Sequence, residues 1–214
     1  LGDHFPNRTT YAIELEKSRA DKCVGKADYV LKCAYENTRI SHDAFSLMYL
    51  NPPFAEVQGK RLEEIFLKDL TKDYLSQDGV LIFNLPQNVL GHVAKVLSTR
   101  FYDIKVRRFS DANYDRFKQV IVFGKRRRKG MRTKKDLMEQ ERIERELTNY
   151  SFLGKDALLP LDETPYENER YCVDEPLKSV GMFDSTIVER EDILKASQDV
   201  FQKAEDLFQD LQLD

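Results

Sequence analysis

Phe45-Ser46-Leu47-Met48-Tyr49-Leu50-Asn51-Pro52-Pro53-Phe54 is the stretch on which the reading of this chain turns. Its first six residues are nearly continuously apolar, and continuous rather than alternating apolarity suits a strand covered on both faces, as in a parallel sheet. Two prolines then stop the strand, because proline fixes φ and brings no N–H to a ladder. The break leaves Asn51 and Phe54 at the carboxyl end of a buried strand, where open α/β sheets carry their sites.

Toward the N-terminus, Tyr11-Ala12-Ile13-Glu14-Leu15 is a short apolar run ending in an acid, and a polar stretch of helical composition follows from Glu16 to Lys26. A further strand is expected at Tyr29-Val30-Leu31. Toward the C-terminus, Leu62, Ile65, Phe66, Leu70 and Tyr74 follow helical spacing, and Asp78-Gly79 is expected to turn the chain into Val80-Leu81-Ile82-Phe83. Val89, Val93, Val96 and Leu97 mark a second helix. Tyr102-Asp103-Ile104-Lys105-Val106 alternates like a half-exposed strand, and Gln119-Val120-Ile121-Val122-Phe123 is its candidate antiparallel partner across a loop rich in Asp, Asn and Tyr. Strand and helix units closed by a hairpin predict an α/β sandwich.

The 214 residues, 41% hydrophobic and 33% charged, are enough for one substantial core plus an extension. No stretch approaches the roughly eighteen apolar residues that a membrane span needs, and the N-terminus lacks a secretory pattern, so the cytoplasm is the expected compartment. Cys23, Cys33 and Cys172 are odd in number and lack CxxC spacing, and His4, His42 and His92 have no ligand-like neighbours, so neither a disulfide framework nor a metal site is expected. The net charge of −3 conceals an asymmetry: residues 1–150 hold 28 Lys and Arg against 21 Asp and Glu, and residues 151–214 hold 6 against 16.

These features divide the chain into a domain over 1–125, a basic charged helix over 126–149, an extended strap or linker over 150–190 and an amphipathic helix over 191–214. The terminal helix carries Ile193, Leu194, Val200, Phe201, Ala204, Leu207, Phe208 and Leu211 on one stripe, which must bury itself on this domain or on a protein partner. Lys125, Arg126, Arg127, Arg128 and Lys129 are candidates for phosphate contacts with nucleic acid, or for docking the acidic tail. Tyr102, Phe109, Tyr114 and Phe117 are core aromatics or, less simply, base-stacking ones.

Asn51-Pro52-Pro53-Phe54 holds the clearest chemistry. A rigid segment of this kind can aim the Asn51 side-chain oxygen and the Pro52 carbonyl at an amino group while Phe54 stacks on a planar substrate. The tetrapeptide is similar to the Asn/Asp-Pro-Pro-Tyr/Phe motif of Rossmann-like S-adenosylmethionine-dependent methyltransferases that act on amino groups, the N6-adenine DNA enzymes among them, and the flanking sequence resembles uncharacterised bacterial methyltransferase-like proteins. The resemblance, over residues 9–125, implies that Glu14 at the end of the second family strand holds the cofactor ribose, with Leu15, Cys33, Ala34 and Asn51 completing the cofactor contacts. Ala34 stands where the family usually presents an acid. Gly2 is the only glycine ahead of Glu14, so the family's glycine-rich first motif is absent from this sequence, and either upstream residues or another segment is expected to supply it.

The expected activity is therefore methyl transfer from S-adenosylmethionine to an exocyclic amino group, first of all adenine N6 of DNA, with nucleic acid as partner. Guanine N2 of RNA and glutamine N5 of a protein stay open as substrates. So does a non-catalytic nucleic-acid-binding or assembly subunit on the same fold.

Overall fold

The computed structural model describes residues 8–128, 130, 133–163, 170–187 and 197–203. The contacts divide the chain into two compact units, Ser41–Val180 in one and Leu1–Ile40 with Gly181–Asp214 in the other.

The smaller unit begins with strand β1 (Tyr11–Ile13), helix α1 (Lys17–Cys23) and strand β2 (Tyr29–Leu31), followed by β3 (Thr38–Ile40). β1 and β2 pair in parallel, Tyr11 opposite Tyr29 and Ile13 opposite Leu31. Helix α1 starts at Glu16, whose carboxylate accepts from the Ser18 and Arg19 amides. It stops earlier than the composition suggests, because Val24 takes extended geometry and Gly25 a left-handed φ of 78°.

The larger unit opens with β4 (Phe45–Leu50), the short strands β5 (Glu56–Val57) and β6 (Lys60–Arg61), helix α2 (Leu62–Asp73) and the long strand β7 (Leu75–Pro86). Helix α3 (Leu90–Arg100), strand β8 (Phe101–Arg108), helix α4 (Asp111–Phe117), strand β9 (Gln119–Arg126) and helix α5 (Lys134–Tyr150) follow. The last strand, β10 (Phe183–Ser185), returns to the smaller unit and pairs antiparallel with β3. Tyr11 stacks on Tyr29 there and meets Phe183 edge-on, with centroids 5.0 and 4.9 Å apart.

The sheet of the larger unit has the order β4-β7-β9-β8. β4 runs parallel to β7, and β9 enters antiparallel between β7 and β8. The expected hairpin thus forms, and its second strand lies inside the sheet. β7 is covered on both faces, with Val80, Leu81, Phe83 and Leu85 all buried. Helix α3 buries Leu90, Val93, Ala94, Val96 and Leu97, the stripe its sequence announces. The architecture is the mixed α/β class expected from the alternation of periods.

Three local expectations are corrected. Asp78-Gly79 is not a turn before a strand: β7 already starts at Leu75, and Asp78, at φ 59°, makes an irregularity that shifts its register against β4. The loop between β8 and β9 contains a seven-residue helix, α4. The innermost residues of α2 are Glu63, Leu67 and Thr71 rather than the apolar stripe alone. Both polar side chains are satisfied: Arg61 pairs with the Glu63 carboxylate, and the Thr71 hydroxyl donates to the Leu67 carbonyl at 2.5 Å.

Helix α5 opens with a reciprocal capping box between Thr133 and Asp136 and buries Ile143 and Leu147 in the core. At Gly91 on α3 an added Cβ would stand 3.2 Å from the Ser151 oxygen just beyond α5, so glycine permits that approach. After α5, Arg108 donates to the Leu158 carbonyl and ties the strand edge to residues 158–161. Residues 197–203 are helical, while Ile193, Leu194, Ala204, Leu207, Phe208 and Leu211 lie outside the described residues. Among the described residues no helix is long and apolar enough to cross a membrane.

Arg126 closes the core at the start of the parallel strands. Arg126 is only 6% exposed, and its guanidinium donates to Asp43 at 2.6 Å, to the Lys72 carbonyl at 2.8 Å and to the Leu75 carbonyl. Arg126→Ala removes a donor from Asp43, from the Lys72 carbonyl of α2 and from the Leu75 carbonyl of β7 together, and is expected to cost about 3–5 kcal/mol in urea denaturation. A loss below ~1 kcal/mol would show that the cation is dispensable to the fold.

Candidate functional site

The parallel pair β4 and β7 delivers two asparagines to the same end of the sheet. Leu50 lies opposite Phe83, so Asn51, just past the end of β4, stands beside Asn84, still within β7. Asn84 is buried at 6% exposure and donates from Nδ2 to the Asn51 Oδ1 at 2.9 Å. Asn51 itself is exposed, so its amide is oriented from behind and open in front. The Asn84 Oδ1 is buried and finds no hydrogen-bond partner, an arrangement that costs about 1–3 kcal/mol unless a donor reaches it.

Pro52 is buried and Pro53 exposed, so the dipeptide is anchored by one ring and presents the other. Phe54 keeps 39% of its surface exposed. The chain then folds into the β5–β6 hairpin, where Gln58 and Gly59 take left-handed φ values of 51° and 74°, the pattern of a tight primed turn. Leu62 donates its amide to the Ala55 carbonyl and closes this loop onto the start of α2. The sequence reading missed Asn84. A polar residue inside the apolar run Val80 to Leu85 was the available signal.

In the smaller unit, Glu14 and Leu15 follow β1, and Cys33 and Ala34 follow β2, so these four share the carboxyl end of that parallel pair. The Glu14 Oε1 accepts from the Glu16 amide at 2.9 Å and from Arg19 at 3.1 Å, while Oε2 accepts no hydrogen bond among the described residues. Leu15 is 69% exposed, Cys33 is buried, and Ala34 begins a turn over Tyr35–Asn37. Among the described residues no group of His, Cys, Asp and Glu could hold a metal ion.

The basic run falls elsewhere. β9 descends from Ile121, opposite Asn84, to Arg126, opposite Phe101, so the run lies at the amino ends of the parallel strands. Five residues along a strand make this about 17 Å from the level of Asn51. Arg126 is committed to the fold, Arg128 is exposed and paired with Asp78 at 2.5 Å, and Lys129 and Arg132 lie outside the described residues. Arg127 is half-buried, and its Nε is buried without a hydrogen-bond partner.

Asp78 also accepts from the Tyr102 hydroxyl at 2.9 Å. Burial, and then the hydrogen bond to that carboxylate, push the Tyr102 phenol up to about 12. The bonds from Arg128 and Tyr102 outweigh the burial of Asp78 and hold its carboxyl below the usual range.

A family model described as an uncharacterised methyltransferase family (DUF6094) matches residues 4–172, more than half of the chain. A search of curated proteins finds no match.

Because the folded Tyr102 keeps its proton beyond the unfolded value near 10, its contribution is complete below pH ~10 and is lost as the pH rises toward about 12. Alkaline titration followed by phenolate absorbance should place one tyrosine near that upper limit, and Tyr102→Phe should remove it. Persistence of the late transition in Tyr102→Phe would assign it to another tyrosine.

Proposed function

From the premise that this chain belongs to that uncharacterised methyltransferase family, whose Rossmann-like α/β fold it has, we propose that it transfers a methyl group from S-adenosylmethionine to an exocyclic amino group of a nucleobase, adenine N6 of DNA first. The observation that carries the reading is the Asn51 amide, exposed at the carboxyl end of β4 and oriented by the buried Asn84.

Each residue then has a task that follows from its chemistry. The Asn51 Oδ1 keeps a lone pair beyond the one that Asn84 occupies, and with the Pro52 carbonyl it accepts from the two hydrogens of an amino group. Those bonds hold the nitrogen and support the positive charge it acquires on attack, and two prolines keep the acceptors from reorienting. Phe54 offers an exposed ring face on which a flipped base can stack.

When bound, S-adenosylmethionine supplies an electrophilic methyl group on a sulfonium. Glu14 suits its ribose, since a carboxylate with Oε2 uncommitted can accept from a hydroxyl. Leu15, Cys33 and Ala34 share the carboxyl end of β1 and β2 with it and are the neighbours that reading assigns to the cofactor. The fit is uneven: a side chain for the ribose is present, and Ala34 offers no carboxylate to an adenine amino group.

The test is methyl transfer from labelled S-adenosylmethionine to duplex DNA, structured RNA and a glutamine-containing peptide, assayed side by side. Asn51→Ala should lower turnover about 100- to 1,000-fold without weakening cofactor affinity comparably. Asn84→Ala should lower turnover about tenfold with the cofactor Kd unchanged. Glu14→Ala should raise the cofactor Kd about 10- to 100-fold in calorimetry. Transfer to RNA or peptide alone would move the substrate, and absence of both binding and transfer would sink the proposal in favour of a non-catalytic subunit.

A further inference from the structure

The fold assembles part of the basic run with cations that are distant in sequence. A groove of about 580 Å³ in the larger unit gathers Lys72 from the end of α2, Arg100 from the end of α3, Tyr102 from β8, and Arg127 and Arg128 from beyond β9. Arg126 also lines it, already neutralised by Asp43, and Arg128 is offset by Asp78. Lys72, Arg100 and Arg127 have no ion pair among the described residues. Asp136 lines the groove as well, but its carboxylate is engaged in the cap of α5.

Five cations therefore line a recess that holds two carboxylates, Asp78 and Asp136, while Asp69 and Asp73 act on Arg100, and Glu139 on Arg127, without a close ion pair among the described residues. Arg100 spends one nitrogen on the Leu67 and Lys68 carbonyls and the Thr71 hydroxyl, which leaves the rest of its fork unassigned. Burial, and then the neighbouring Arg126, depress its pKa against the opposing pull of Asp69 and Asp73. The buried Arg127 Nε has no acceptor, and its guanidinium lies 6.0 Å from the Tyr102 ring centroid. Guanidinium forks with unmatched donors fit the tetrahedral oxygens of a phosphate.

We propose that this groove binds the phosphate backbone of a nucleic acid, at the end of the sheet opposite Asn51. The proposal rests on the nucleobase reading of the substrate and says how the rest of the strand is held. The ~17 Å between the two levels corresponds to about five base pairs of duplex rise. The groove thus engages phosphates well away from the base at Asn51 and contributes grip rather than base identity.

The test measures binding of a fluorescent ~25-base-pair duplex by anisotropy across a salt series, with the wild-type chain, Arg127→Gln, Lys72→Gln, their double variant and Arg127→Lys. The double variant should bind about tenfold or more weakly at ~100 mM salt, and the slope of log K against log salt should shrink by about two contacts' worth. Arg127→Lys should recover the slope and only part of the affinity. Thermal unfolding of each variant checks that the fold is intact.

Unchanged affinity and slope in folded variants would overturn the proposal, as would failure of the wild type to bind DNA. Competition by inorganic pyrophosphate at equal phosphate concentration as strong as by DNA would make the ligand a free phosphate compound and overturn the backbone assignment. Methyl transfer on the same duplex reports separately. DNA binding lost in the variants without any transfer by wild type would leave the groove standing and remove the enzymatic reading, and robust transfer with unaffected binding would do the reverse.

Discussion

The larger unit depends on β7 being paired along both edges. β4 holds one edge in parallel register and β9 the other antiparallel, so the strand has no exposed hydrogen-bonding edge, and its side chains supply the middle of the core. Once β7 is fixed, the parallel crossover through α2 sets β4 beside it, and α3 leads on to β8 on the far side of β9. The juxtaposition of Asn51 and Asn84 follows from this register, because a one-residue slip would send one of the two amides to the opposite face.

Buried polar groups hold the ends of this sheet. At the amino ends, Arg126 takes up the Lys72 carbonyl in the last turn of α2, where a helix leaves its acceptors unpaired, and Arg100 adds a donor to the Lys68 carbonyl one turn earlier. At the carboxyl ends, the buried Gln87 donates to the Tyr150 and Leu153 carbonyls, both at 2.8 Å, and accepts from the Tyr114 hydroxyl. It binds the end of α5 and the helix α4 to the tip of β7. Each of these side chains would be costly left unpaired, and together they define how the helices close over the sheet.

The two ends differ in character. The carboxyl end presents an oriented neutral amide, two prolines and an exposed ring, which suits a planar amino-bearing group. The amino end presents guanidinium groups, some spent on the fold and some not. Neutral acceptors and cations thus stand at opposite ends of one sheet.

Sequence alone determined the elements whose signals are local: the buried strand Phe45–Leu50 from its continuous apolarity, its stop from Pro52-Pro53, α3 from its 3.6-residue stripe, and the strand Gln119–Phe123 from its β-branched run. The tetrapeptide Asn51–Phe54 was equally legible, since it is contiguous. Tertiary structure decided whatever depends on residues distant in the chain. Asn84 became the partner of Asn51 through strand register, across 33 positions, and an isolated asparagine in an apolar run carries no sign of that. The basic run Lys125–Lys129 read as one surface because charge is visible in sequence and burial is not. Folding buried Arg126, and brought Arg127 beside Lys72 and Arg100, which come from the ends of two other helices. Periodicity reports which face of an element is apolar, but the identity of what meets that face is fixed only when non-local pairs close.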